Sequence, residues 1–308
     1  MTRALVIGEA LVDIVDGHAL PGGSPLNVAV GLGRLGSDVT LATRIGADHH
    51  GETIRQHLEA SSVQLSADAV GPGSTSTAVA AISPSTGAAE YEFDIHWDLR
   101  AEGIDDAECD ILHAGSLGAY LEPGCQAVEA AMHEAAPRSL VSFDPNIRPA
   151  LLEDRAAVVR RTERLASMSD VVKLSDADAE WLYPGDSIER VLSRLAGLGP
   201  RLVVITRGGD GYTAASGDRT WFRHVAVPVS VADTIGAGDA FMSGLLHAVG
   251  DGGLVGRVRG GDMTVDEWRT VLDIAQRSAG LTVSRAGADP PWASELFPEG
   301  SQRRTTFS

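Results

Sequence analysis

Short β-branched runs alternate with longer amphipathic stretches along most of this chain, and that alternation limits the possible folds more than any other feature. Residues 4–15, 38–46, 109–117, 139–145, 170–175 and 201–209 read as strands. Between and after them, 25–35, 52–61, 124–135, 155–168, 188–197 and 268–283 carry helical periodicity. The order predicts an α/β fold, with a central, mostly parallel sheet covered by helices on both faces. Ligands bind such sheets beyond the carboxyl ends of the strands. Residues 76–97 depart from the pattern: two strand-like halves flank SPSTG with no helix between them, which predicts a hairpin projecting as a small β lid. One domain over 1–300 accommodates these elements, and the polar residues 301–308 read as a frayed tail.

A chain of 308 residues with 44% hydrophobic content can bury a large core without a staple. Its net charge of −17 disfavours nucleic acid and anionic lipid as partners. There is no apolar run of membrane-spanning length and no signal-peptide pattern at the N-terminus, so a cytoplasmic location is expected. The two cysteines, Cys109 and Cys125, have neither zinc-site nor disulfide-framework spacing.

Two glycine motifs carry chemistry. In DTIGAGD, from Asp233, the small residues Gly236, Ala237 and Gly238 precede an apolar helical run. Backbone N–H groups can converge there as an anion hole. Asp239 falls in the first helical turn, placed to take a proton from an attacking hydroxyl or, on the simpler alternative, to cap the helix. The second motif, GGSPLNVAVGLGRLG from Gly22, sets Asn27 near a helix start behind a Gly-Gly turn. Gly31, Gly33 and Gly36 within it match GxGxxG, but they lie inside the helix that Pro25 opens, so a dinucleotide site is rejected. AGSLG around Ser116 matches a nucleophile elbow, yet Pro123 and Gly124 delay the next helix, which argues against a hydrolase.

Together the two motifs resemble the paired signatures of the ribokinase-like PfkB carbohydrate kinases, GG-x-x-x-N-x-A-x-x-L-x-x-LG and D-T-x-G-A-G-D, in the expected order and over two hundred residues apart. The resemblance implies a ribokinase-like fold and ATP-dependent transfer of a phosphoryl group to a sugar hydroxyl. By position it puts Asp13, Gly23 and Asn27 on the sugar, Asp239 as base, and Gly236, Ala237 and Gly238 around the phosphoryl group. It also puts Ser175, Thr206, Gly208 and Gly211 on the nucleotide, and Asp178 and Glu180 near Mg²⁺ and its waters. Backbone carbonyls of Asp233, Ile235 and the loop at Gly287 would hold K⁺. FDPNIRP, from Phe143, resembles the fructokinase and ketodeoxygluconate kinase branches, in which Arg148 would approach phosphate. The expected partners are a small sugar and ATP, with a homodimer left open. A non-catalytic sugar-binding regulator is the rival, and retention of Asp239 and the anion-hole glycines favours the enzyme.

Overall fold

The computed structural model describes residues 1–298 apart from 16, 83–88, 101–103, 105–108, 218 and 225–229, with the backbone alone for 80–82, 89–91 and 219–224. In chain order the strands are β1 (Arg3–Ile7), β2 (Leu11–Val15), β3 (His18–Gly22), β4 (Asp38–Ala42), β5 (Ile45–Gly46), β6 (Val63–Leu65), β7 (Val70–Gly71), β8 (Ser76–Ile82), β9 (Ala89–Asp94), β10 (Ile111–Gly115), β11 (Leu140–Asp144), β12 (Val171–Ser175), β13 (Leu202–Thr206), β14 (Tyr212–Ser216) and β15 (Arg219–His224). The helices are α1 (Ser24–Arg34), α2 (His49–Ala60), α3 (Gly124–Ala135), α4 (Arg155–Ser167), α5 (Asp176–Leu182), α6 (Ile188–Ala196), α7 (Ala237–Asp251), α8 (Val255–Gly260), α9 (Val265–Val283) and α10 (Ala293–Leu296).

The main sheet runs β15-β14-β13-β12-β11-β10-β1-β4-β6. It is parallel from β13 to β6, and β14 and β15 add an antiparallel edge. Successive residues of a strand serve opposite faces, as the pleat requires. Ala4, Val6, Leu202 and Val204 join a core with Leu26 and Leu32 of α1, Phe241 and Leu245 of α7, and Trp268 and Val271 of α9. Leu5, Ile7, Val203 and Ile205 join a second core with Val128 and Met132 of α3, Leu165 of α4 and Leu192 of α6. Both sheet faces are thus dry, which is why the strands read as near-continuous apolar runs.

The sheet order brings the carboxyl ends of β1, β10, β11, β12 and β13 to one rim, and Glu9, Ser116, Asp144, Ser175 and Thr206 stand there.

Three sequence expectations need correction. Residues 4–15 form two strands, not one, because the chain leaves the main sheet at Gly8–Ala10 and enters a second sheet as β2. The lid is larger than a hairpin: β8 and β9 pair antiparallel as expected, but β8 also pairs with β2, giving a four-stranded sheet ordered β3-β2-β8-β9. The SPSTG turn itself, at 83–87, and the tail at 301–308 lie outside the described residues. Helix α9 begins three residues before 268, because Thr264 and Glu267 form a reciprocal capping box in which the Thr264 N–H donates to Glu267 Oε2 at 2.7 Å.

Among the described residues no helix is long and apolar enough to cross a membrane. Cys109 is half-buried and Cys125 is buried, and neither is in a disulfide.

Candidate active site

The two glycine motifs meet in space. Helices α1 and α7 pack so closely that a methyl group added to Gly31 would lie 2.3 Å from Ser243 Oγ, while one added to Gly33, facing the end of α2, would lie 2.3 Å from the Ser61 carbonyl oxygen. Gly31 and Gly33 of the false dinucleotide fingerprint are therefore packing positions, and Gly36 turns the chain after α1 at φ 97°. This packing sets the N-terminus of α1 against that of α7. Ser24 Oγ donates to Asp239 Oδ1 at 2.6 Å, and Asn27 Nδ2 donates to Asp239 Oδ2 at 2.8 Å.

Asp239 is 8% exposed, and both of these partners come from α1 rather than from its own helix. No side chain caps α7, whose N-cap is Gly236. A carboxylate offers about four lone-pair sites. Two of Asp239's are used to fix its orientation, which leaves acceptor capacity for an incoming hydroxyl.

The turn before α7 is held by backbone and by Asp233. Asp233 Oδ1 accepts from the Ile235 N–H at 3.0 Å and Oδ2 from the Gly287 N–H at 2.9 Å, and these bonds hold its carboxyl below the usual range. Gly236 has φ 74°, and a Cβ there would lie 2.6 Å from Ala288 Cβ. Only glycine satisfies both the left-handed backbone and the close loop. Asp233, Ile235 and Gly287, the residues expected to offer carbonyls to K⁺, are thus gathered at one loop junction.

On the small-sheet side, the Gly22-Gly23 turn lets β3 run close to the β1–β2 crossover. A Cβ on Gly22 would strike Asp13 Oδ2 at 2.1 Å, and Gly23, at φ 102°, would place one 2.7 Å from the Glu9 carbonyl oxygen. Asp13 is half-buried, and burial raises its carboxyl while the positive charge of Arg148 opposes the rise. Arg148 itself is exposed, with Nη1 donating to Asn146 Oδ1 of its own turn at 2.7 Å. The Arg148 charge also acts on Glu9, so Asp13, Glu9 and Arg148 share one neighbourhood between the two sheets.

Sequence reasoning gave no role to Glu9. Its buried Oε2 accepts from the Gly118 N–H at 2.7 Å, and burial pushes its carboxyl up to about 7 against the hydrogen bonds from Ser116 and Gly118. Ser116 does occupy a strained turn, at φ 53°, immediately after β10. Its hydroxyl binds Glu9 and it is 2% exposed, so it is not presented as a nucleophile. Since the folded carboxyl holds its proton more tightly than the unfolded one, Glu9 favours the fold below about pH 4.5 and loses that contribution as pH rises through about 7. Glu9→Gln is therefore expected to melt a few degrees above the wild type at about pH 8, and level with it at about pH 4. Equal melting at both pH values would contradict the buried, proton-holding carboxyl.

At the rim of β12, Asp178 Oδ2 accepts from the Ser175 N–H at 2.9 Å and from Ser175 Oγ at 2.7 Å, while Oδ1 accepts from the Ile147 N–H at 2.8 Å. Asp178 is buried and engaged in capping α5, whereas Glu180 is exposed, its carboxylate reached at 3.4 Å by the Gly185 N–H. The two acids expected near Mg²⁺ and its waters thus differ, one buried and engaged and the other open to solvent. Among the described residues no cluster of three His, Cys, Asp or Glu side chains has metal-binding geometry. Mg²⁺ bound with a nucleotide takes few protein ligands and keeps several waters, and this rim fits that mode. Thr206 pairs in register with Ser175, and Gly208 (φ 50°) and Gly211 (φ 82°) turn the chain back into β14. The predicted nucleotide residues therefore lie side by side on one rim.

A pfkB family carbohydrate kinase profile matches residues 4–295. The chain belongs to that family. The fructokinase of Rhizobium leguminosarum bv. trifolii is 34% identical over 266 residues, covering 80% of this chain and 79% of the relative. A fructokinase variant from Vibrio cholerae O395, solved with fructose, ADP and potassium, superposes with a TM-score of 0.81 at 27% identity, covering 94% of each chain. Fructokinase from Xylella fastidiosa with bound ATP gives 0.83 at 25% identity and 96% coverage of each.

For this carbohydrate kinase, the expected sugar ligand Asn27 also donates one N–H to the proposed base, and Ser24 makes the same kind of contact. The sequence did not reveal a second layer beneath the anion hole. Lys173 and Asp144, 4% and 1% exposed, form an ion pair at 2.7 Å on the sheet face that α7 covers. A buried Lys in an otherwise apolar strand run was the available signal.

Proposed function

We propose that this kinase transfers the γ-phosphoryl group of ATP to a primary hydroxyl of fructose. The observation that carries the reading is the Asp239 carboxylate, held by Ser24 and Asn27 of the sugar-side helix α1 at the mouth of the amides of α7. This arrangement ties the sugar-side helix, through Ser24, to the carboxylate at the anion hole across 215 residues of sequence. The relatives support fructose, since the similar solved structures include fructokinases bound to fructose and ADP or to ATP.

In this reading the sugar lies between Asp13, Gly23 and α1, and the triphosphate runs from Thr206, Gly208 and Gly211 toward Gly236–Asp239. Phosphoryl transfer passes through a loose transition state, so catalysis rests on alignment and on charge stabilisation at the equatorial oxygens. The α7 amides and Arg148 supply that charge, and Asp239 takes the hydroxyl proton. Arg148 swings from its own turn to phosphate, a role suited to its planar fork. Asp178 and Glu180 at the β12 rim would hold Mg²⁺ through its waters, and the ion would supply positive charge to the phosphates. The loop tied by Asp233 and Gly287 offers carbonyls to a monovalent cation such as K⁺. The four-stranded small sheet closes over the sugar and excludes water.

A panel of ATP consumption assays with fructose, ribose, ketodeoxygluconate, tagatose phosphate and nucleosides tests the acceptor. Fructose is expected to give the highest kcat/KM. A nucleoside or a sugar phosphate ahead by about tenfold, a difference of about 1.4 kcal/mol in transition-state binding, would move the chain to another branch of the family.

A further inference from the structure

The Asp144–Lys173 pair is more than its own neutralisation requires. Asp144 at the end of β11 and Lys173 in β12 lie on the sheet face under the N-terminus of α7, next to His113, whose Nδ1 is 2.9 Å from Ser142 Oγ. Burial, with the Lys173 charge added, pushes the His113 imidazole down to about 3, so it stays neutral. The ammonium has three carboxylates in its surroundings, Asp144, Asp239 and Asp178, whose attraction outweighs its burial and keeps it charged. A methyl group on Gly238 would lie 3.0 Å from Lys173 Nζ, so the ammonium sits directly against the glycine of the anion hole. A buried ion pair is costly to desolvate, and two apolar residues of similar size commonly serve stability as well or better. An ion pair kept at this point, with the cation turned toward the phosphate-binding amides, is placed for electrostatics rather than for packing.

We propose that Lys173 is a positioning residue of the phosphoryl-transfer site, its ammonium paired with Asp144 and pressed against Gly238 so that a full positive charge backs the partial charges of the α7 amides. The inference rests on the kinase reading above. Asp144 offsets the cost of burying the ammonium, while the packing of β11, β12 and α7 keeps Nζ beneath Gly238 with or without that carboxylate's charge. The ammonium acts where charge is spread over the equatorial phosphoryl oxygens in the transition state.

The test compares wild type, Lys173→Met, the paired variant Lys173→Met with Asp144→Asn, and Asp144→Asn alone. Melting temperature, fructose affinity, kcat and inhibition by ADP, Mg²⁺ and aluminium fluoride, which imitates the transferring phosphoryl group, are measured for each. The paired variant leaves no unpaired buried charge, so it is expected to fold and to bind fructose within a few-fold of wild type. Its kcat should still fall by more than about tenfold, with the aluminium fluoride inhibition weakened in parallel. Asp144→Asn alone keeps the ammonium and should be inhibited by aluminium fluoride at least as strongly as wild type. Recovery of near wild-type kcat and inhibition in the paired variant would show that Lys173 only neutralises Asp144, and would overturn the proposal. Should the paired variant not fold, loss of inhibition in Asp144→Asn alone would overturn it equally. A wild-type protein that does not phosphorylate fructose fails the functional reading before any variant is compared.

Discussion

Asp239→Asn is expected to lower kcat roughly 10²- to 10⁴-fold while fructose and ADP still bind. The amide keeps the size of the carboxylate, and its oxygen can still accept one of the hydrogen bonds that Ser24 and Asn27 now donate at 2.6 and 2.8 Å. What it loses is the capacity to take a proton. If Asp239 served only as a helix-start acid, the same change would cost about 1 kcal/mol of stability and leave turnover near normal in the folded fraction. The Asp239 oxygens are directed to α1 and not to the free amides of α7, which argues against a cap and leaves the base assignment to this variant. A folded Asp239→Asn enzyme within a few-fold of wild-type kcat would refute the base assignment. Asp13→Ala is the contrasting control, because it should weaken fructose binding with ADP affinity unchanged.

Gly236→Ala is expected to reduce kcat by about 10²-fold, through the anion hole and not through the fold. Two separate strains act at this residue. A left-handed φ of 74° costs a non-glycine residue about 1 to 2 kcal/mol, and the new Cβ would lie 2.6 Å from Ala288 Cβ. The turn must shift to relieve them, and the amides that follow it shift too. Adding Ala288→Gly removes the collision but not the backbone strain, so the double variant should recover only part of the lost turnover. Full recovery would mean that the collision alone mattered, and no loss in the single variant would mean that the α7 amides do not hold the phosphoryl group. ADP affinity, measured alongside, separates phosphoryl stabilisation from nucleotide binding.

How much of this was legible in the sequence depended on the range of the interaction. Local signals were reliable. Helix α3 fell on its predicted residues, α1, α4 and α6 within one residue at each end, because Pro25, Asp154 and Ser187 mark starts that short-range chemistry enforces. Gly236 and the Gly22-Gly23 turn were also readable, since each needs a conformation or an approach that only glycine allows. Long-range pairing was not readable. Nothing near Leu11 says that its strand pairs with Ser76 and leaves the sheet that Ile7 joins. The partners of Asp239 lie 215 and 212 residues away in sequence, so nothing near Asn27 said that it also holds the proposed base. The family resemblance linked Asp178 to Mg²⁺ and its waters, and only the structure adds that its oxygens cap α5 and accept from the Ile147 amide. Lys173 was hidden for the opposite reason. It sits in a strand whose apolar neighbours dominate the pattern, and its significance appears only when β11 brings Asp144 beside it and α7 lays Gly238 over it.

Incubating the protein with ATP and Mg²⁺, with and without fructose, and following ADP, free phosphate and sugar phosphate together by phosphorus NMR addresses the central claim most directly. ADP is expected to form rapidly only when fructose is present, matched one for one by a phosphate ester on a primary fructose hydroxyl, with little free phosphate because the site favours sugar over water. ATP turnover that is the same without fructose, or that yields free phosphate in place of the ester, would contradict the account.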